Sequence, residues 1–269
     1  MIGIEQARAI ERVEVEAWRD LFAAATPLAA SALGLAGREL GGAYALSAPT
    51  LETLMFNRVV GLGMARPATD ALLDAIVSHY SERGAPFEVN LCPLAEPSDL
   101  PGRLSARGLG SPFHHVKWVR GIQTAPAQAV TLRLERVKPR QAREFANIAA
   151  EGFASGLPSA RDWLAGCVGR PGWTHYVSRE NDEPVGCGAM FVTGDGAWLV
   201  FDSTREEHRS KGSQSLIISA RIRDAAAAGC RWLSTDTGPN WPDVDTTAWR
   251  NLQRAGFVAA YERQCWLHV

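Results

Sequence analysis

The chain has 269 residues, 46% of them hydrophobic and 21% charged, which suits one large domain or two of about 130 residues each. A formal net charge of −1 leaves no basic footprint for a nucleic acid. There is no run of 18 apolar residues, and the start MIGIEQARAI lacks the basic-then-apolar pattern of a signal peptide, so a cytoplasmic protein with no membrane partner is expected. The five cysteines, Cys92, Cys167, Cys187, Cys230 and Cys265, are scattered and form no CxxC pair. They read as single buried thiols, and no metal is assigned.

In the first half, Thr69 to Arg83 reads as a helix stopped by Gly84, and Phe87 to Leu91 as a strand. The adjacent His114 and His115 fall on opposite sides of any strand. The stretch from Gly121 to Ala129 is rich in small residues and reads as a linker. Val130 to Val137 then alternates apolar and polar residues, as a strand does, and Pro139 to Glu151 reads as a helix. Thr174 to Ser178, Val185 to Val192 and Ala197 to Ser203 read as strands, with Gly194-Asp195-Gly196 as the hairpin turn between the last two. Ser213 to Ala228 carries a wide apolar stripe and is closed by Gly229. Trp232 to Asp236 is a strand, Thr246 to Ala255 a helix stopped by Gly256, and Phe257 to Leu267 the last strand. The tryptophans, Trp198 and Trp241 among them, read as core or cleft lining.

The two halves share a grammar. Gly84 and Gly229 lie 145 residues apart, each between a helix and a strand, and Leu104-Ser105-Ala106-Arg107-Gly108-Leu109 resembles Leu252-Gln253-Arg254-Ala255-Gly256-Phe257. An internal duplication follows, with halves at 1–122 and 130–269 and a mixed α/β layer architecture.

The segment Arg209-Ser210-Lys211-Gly212-Ser213-Gln214 sits between a strand and an apolar-striped helix. The unpaired N–H groups at a helix start, with the positive end of its dipole, attract an anion. Gly212 lets the backbone turn those groups inward, and Arg209 and Lys211 add charge, so a phosphate or pyrophosphate fits.

This segment resembles the acetyl-CoA loop of the GNAT N-acetyltransferases, whose pattern is Arg/Gln-x-x-Gly-x-Gly/Ala. Arg209 and Gly212 match it, and Gln214 departs at the last position. Arg250-Asn251-Leu252-Gln253-Arg254-Ala255-Gly256-Phe257 is similar to the family's closing helix. The resemblance covers 131–269 well and the first half weakly, as in bacterial tandem proteins with one degenerate copy. It implies two GNAT-like mixed-sheet halves, each a central, mostly antiparallel sheet with flanking helices. Acyl-CoA would lie in a splayed cleft, paired to the strand carrying Phe201, Asp202, Ser203 and Thr204. Its pyrophosphate would meet Arg209, Ser210, Lys211, Gly212, Ser213 and Gln214, and Asn251 would touch the CoA arm. An offset of 145 sets Pro67, which has no N–H, opposite Gly212, so the first half is expected to bind no CoA.

An amine of pKa ~10.4 must shed a proton before it attacks, at roughly 4.6 kcal/mol at pH 7. Asp202 and Asp236, near strand ends aimed at the cleft, are the candidate bases. Glu151, His175 and His208 read as a solvated carboxylate, a structural histidine and a packing residue. Many GNAT enzymes place a tyrosine acid where this chain has Leu252, and Tyr261 is the candidate substitute. The expected activity is acyl transfer from acetyl-CoA to a small-molecule or peptide amine by direct attack in a ternary complex, by a monomer or homodimer. The alternative is a catalytically silent GNAT-fold protein that binds CoA or a metabolite as a sensor.

Overall fold

The structure, a computed structural model, describes residues 2–125, 130–238 and 247–268. Residues 126–129 of the expected linker, Trp241, and Thr246 at the expected start of a helix lie outside them.

Eight α-helices and eleven strands are found among the described residues. The first half runs α1 (Ile4–Ala23), α2 (Pro27–Leu33), β1 (Ala36–Leu40), β2 (Ala43–Ser47), β3 (Arg58–Val60), α3 (Asp70–Ser81), β4 (Phe87–Leu91), α4 (Leu100–Ser105) and β5 (Gly110–Gly121). The second runs β6 (Arg133–Arg136), α5 (Ala142–Phe153), α6 (Pro158–Gly166), β7 (Trp173–Glu180), β8 (Glu183–Thr193), β9 (Gly196–Thr204), α7 (Ser213–Ala227), β10 (Trp232–Thr237), α8 (Thr247–Arg254) and β11 (Val258–His268). The elements expected from the sequence are present, with ends shifted by a few residues. None of the described helices is long and apolar enough to cross a membrane.

All eleven strands join one sheet, in the order β1-β2-β3-β4-β11-β5-β10-β9-β8-β7-β6. Each half contributes one parallel pair, β3 with β4 and β9 with β10, bridged by α3 and α7 respectively. The last strands are exchanged between halves. β11 lies antiparallel against β4, with Trp266 opposite Val89, and β5 lies antiparallel against β10, with Lys117 opposite Asp236. β5 and β11 also pair with each other, so the junction is continuous backbone hydrogen bonding.

Helices cover both faces. On one face α1, α2, α5 and α6 pack on strands of both halves, and Trp18 meets Trp198 with ring centroids 5.4 Å apart. Trp163 on α6 donates its indole N–H to the Leu21 carbonyl of α1 at 2.7 Å. The other face carries separate cores for α3 and α4 and for α7 and α8. A core shared by both halves on one face makes their relative placement part of folding.

The sequence reading placed none of α1, α2, β1, β2, β3, β5 and α6, and α1 shows why. Its apolar residues Ile10, Val13, Ala17 and Leu21 follow helical spacing, but Glu11 and Glu14 are buried beside them. Charged residues on the inward face blur the amphipathic pattern by which a helix is recognised.

Candidate active site

β9 and β10 pair only through Trp232–Ser234 and Gly196–Trp198, and a last link runs from the Thr235 hydroxyl to the Leu199 carbonyl at 3.0 Å. Beyond that point they separate. A bulge helps: Phe201 and Asp202 together stand opposite Gly188, and Phe201 has φ +60°. A left-handed phenylalanine costs on the order of 1–3 kcal/mol and persists where its surroundings enforce it. Here Phe153 and Trp18 pack on its ring.

The gap opens into a cavity of about 660 Å³. Leu199 to Asp202 of β9 and Thr235 to Gly238 at the end of β10 line its two sides. One face of α7 contributes Gln214, Ile218 and Arg221, and α8 contributes Leu252. The far end is built by the first half, from Arg58, Glu88, Phe113 and His115.

At the head of α7, Gly212 has φ +86° and no side chain caps the helix. A Cβ at Gly212 would lie 2.4 Å from Val130 Cγ1, so glycine is required twice over. Among the described residues, the backbone N–H groups of Ser213, Gln214 and Ser215 have no acceptor. Lys211 and His208 both bind Glu180, at 2.7 and 2.6 Å, an acid the sequence reading did not place there. Arg209 is exposed, with no side-chain partner among the described residues. Asn251 donates to Gln214 Oε1 at 2.7 Å, joining α8 to α7 across the cavity rim.

Asp202 and Asp236 both line the cavity, and both are already engaged. Asp202 is held in a two-pronged ion pair by the buried Arg221. Asp236 lies 3.4 Å from Lys117 and 3.4 Å from Arg263, and accepts from Trp198 at 3.3 Å. Burial would raise its carboxyl, but the neighbouring Lys117, Arg263 and Arg58 reverse that and hold it well below the usual carboxylate range. A carboxylate so stabilised is a weak base.

Tyr261 is not part of the cavity wall. Its hydroxyl donates to Glu11 at 2.6 Å on the side of the sheet covered by α1. The buried Leu252 does line the cavity and offers no proton. Glu151 pairs with Arg205 at 3.2 Å, and His175 is buried between Trp173 and Phe145.

The sequence reading missed the buried charges between the halves. Glu14 is bound by Lys117 at 2.5 Å and by Arg263 at 2.7 Å. Arg58 donates to Asn90 at 3.1 Å, and Asn90 donates to Glu88 Oε1 at 2.9 Å. These groups come from α1, β3, β4, β5 and β11, so only the strand exchange brings them together.

No family model and no curated protein matches the sequence. Solved structures do match. A GCN5-related N-acetyltransferase from Kribbella flavida aligns with a TM-score of 0.61 at 14% identity, covering 89% of this chain and 93% of its own. One from Sphaerobacter thermophilus gives 0.59 at 14%, over 78% and 71%. A tandem GNAT protein from the clavulanic acid biosynthesis pathway gives 0.55 at 14%, over 78% and 74%. The chain has the GNAT fold, as the loop and closing helix led one to expect. At such identities the likeness concerns the fold alone.

Proposed function

We propose that the protein is an acyl-CoA-dependent N-acyltransferase that passes an acetyl group from acetyl-CoA to an amine in a ternary complex. The observation that carries this reading is the opening between β9 and β10, which runs to the uncapped head of α7. The free N–H groups of Ser213 to Ser215, the glycine at the cap and the cation of Arg209 suit a pyrophosphate. The edge of β9 from Phe201 to Thr204, which β10 leaves unpaired, offers backbone groups to an extended amide chain, as pantetheine is. In this reading 130–269 holds the cofactor and 1–122 walls the acceptor end of the same cavity.

The chemistry this needs is modest. The acceptor must arrive as a neutral amine, and its attack on the thioester carbonyl must expel a thiol whose pKa is near ~8.5. Every cysteine is buried, and burial pushes Cys187, on the strand next to the cleft, above the usual thiol range. A covalent acyl-enzyme route therefore has no ready nucleophile, and direct transfer is favoured.

Leu252 in the cavity wall supports a second reading, a silent CoA-binding protein, because no hydroxyl stands there to protonate the leaving sulfur. Calorimetry with acetyl-CoA, followed by CoA release with an amine panel, separates the two. Binding with release supports the enzyme, binding without release the sensor, and no binding removes both.

A further inference from the structure

We propose that the cavity end built by β4 and β5 is the acceptor subsite, that it takes a small primary ammonium group, and that Glu88 receives that group's proton. The assignment deepens the acyltransferase reading and rests on it.

Among the described residues, three buried polar atoms at this end have no hydrogen-bond partner: the donor Arg58 Nε, and Glu88 Oε2 and His115 Nδ1, and all three residues line the cavity. Glu88 is 1% exposed, so bulk solvent has little access to its free oxygen. Buried polar groups are satisfied in the great majority of cases, and an unsatisfied carboxylate oxygen on a residue that lines a cavity calls for a donor.

The charge count calls for the same donor. The buried groups between the halves comprise the cations Arg58, Lys117 and Arg263 and the carboxylates Glu11, Glu14, Glu88 and Asp236. There is one more carboxylate than cation. Glu14 has all three of these cations and Asp236 has two, and Glu11 has Arg263 at 3.5 Å and the Tyr261 hydroxyl. Glu88 has only Arg58 at 3.9 Å and the Asn90 amide. An unbalanced buried negative charge is costly, and one incoming cation balances it.

The other groups facing Glu88 do not balance it. His115 and Cys265 each bring a donor atom to within 4.8 Å of its carboxylate. Burial lowers the His115 imidazole to about 4 and pushes the Cys265 thiol up to about 12, so both are neutral at pH 7. A protonated thiol with Arg58 and Arg263 close by makes a poor seat for a divalent metal. Burial also raises the Glu88 carboxyl above its usual range, although Arg58 and Arg263 oppose it, which makes it a better base than Asp236.

The step balances. The ammonium gives a proton to Glu88 Oε2, leaving a neutral amine and a carboxylic acid. The nitrogen lone pair forms a bond to the thioester carbonyl carbon, and the carbon–sulfur bond breaks with its electrons on sulfur. The nitrogen loses its second proton to that sulfur, and Glu88 returns the first to solvent.

The test is Glu88→Gln, which keeps an acceptor for Asn90 and removes the surplus charge. The variant should fold with an unchanged or higher Tm. Acetyl-CoA affinity should stay within twofold of the parent. With ethanolamine, 1,4-diaminobutane, glucosamine and lysine as acceptors, CoA release by the parent should fall about 100-fold in the variant. The acid limb of kcat/KM should vanish, and Glu88→Asp should restore part of the rate. Release above a fifth of the parent's would overturn the proposal. So would a parent that binds acetyl-CoA but turns over none of the four amines, or stoichiometric zinc in the parent that the variant lacks. A parent that does not bind acetyl-CoA would remove the acyltransferase reading itself, and the base role with it.

Discussion

Thr69 and Gly212 stand at the heads of α3 and α7, corresponding helices of the two halves, and do opposite things there. The Thr69 hydroxyl accepts from the Leu72 N–H at 3.2 Å, whereas Gly212 leaves its helix uncapped. The structure thus sets Thr69, not Pro67, in the place of Gly212. Asp70 follows in the first turn of α3, ion-paired to Arg103 and Arg107, where a negative charge repels a phosphate. The opening beside β3 is also closed, because Glu96 N–H bonds the Gly63 carbonyl and Ala68 N–H bonds the Glu96 carbonyl. Acetyl-CoA is therefore expected to bind once per chain. Calorimetry reading two equivalents would contradict this.

Arg209 separates binding from folding at the loop. It is exposed and unpaired among the described residues, so Arg209→Glu should change stability by less than about 0.5 kcal/mol. It should weaken acetyl-CoA binding at least tenfold, about 1.4 kcal/mol, and less so in high salt. Gly212→Ala is the contrasting variant. Its φ of +86° and the contact with Val130 should cost on the order of 1–3 kcal/mol of stability, visible as a lower Tm without ligand. Equal acetyl-CoA affinity for Arg209→Glu and the parent would move the pyrophosphate elsewhere.

How far these features could be read from sequence depends on their range. The α7 stripe, Gly229 and the strand at Trp232 are local patterns, and α7 and β10 are found there. The Arg209 to Gln214 loop could be read for the same reason. The exchange of β5 and β11 could not, because the alternation of a strand does not name its neighbour. The acceptor end went with it: Arg58, Glu88 and His115 lie far from the loop in the chain and become cavity wall only through that pairing. Asp202 and Asp236 were found because strand ends are local, but their partners Arg221, Lys117 and Arg263 were not.

Glu14 links this junction to pH. It is fully buried, and although burial alone would raise its carboxyl, Arg263 and Lys117 bring it down to about 2 from 4.5. A carboxyl depressed in the folded state contributes stability that is present above 4.5 and is lost as pH falls toward about 2. Denaturant midpoints should therefore drop steeply below pH 4.5. Glu14→Gln leaves Lys117 and Arg263 short of a partner and should cost about 3–5 kcal/mol at pH 7, with a shallower acid loss. A variant as stable as its parent would mean that the junction tolerates the missing charge.

Tyr261 tests where the leaving sulfur gets its proton. As a general acid it would need to reach the cavity, and its removal would cost about 10²–10⁴-fold in rate. Its hydroxyl instead donates to Glu11, and burial together with the Glu11 carboxylate raises its pKa well above the usual phenol value, which makes it a reluctant donor. Tyr261→Phe keeps the ring and removes a hydrogen bond to a carboxylate, a loss of about 1.5–3 kcal/mol of stability. With an amine that the parent acetylates, kcat should fall less than fivefold and acetyl-CoA affinity should not change. Under that result the sulfur takes its proton from the attacking nitrogen or from water, which a thiol of pKa near ~8.5 permits. A loss of 100-fold or more, in a variant whose Tm is within a few degrees of the parent, would bring Tyr261 into the reaction and require the Glu11 contact to open during turnover.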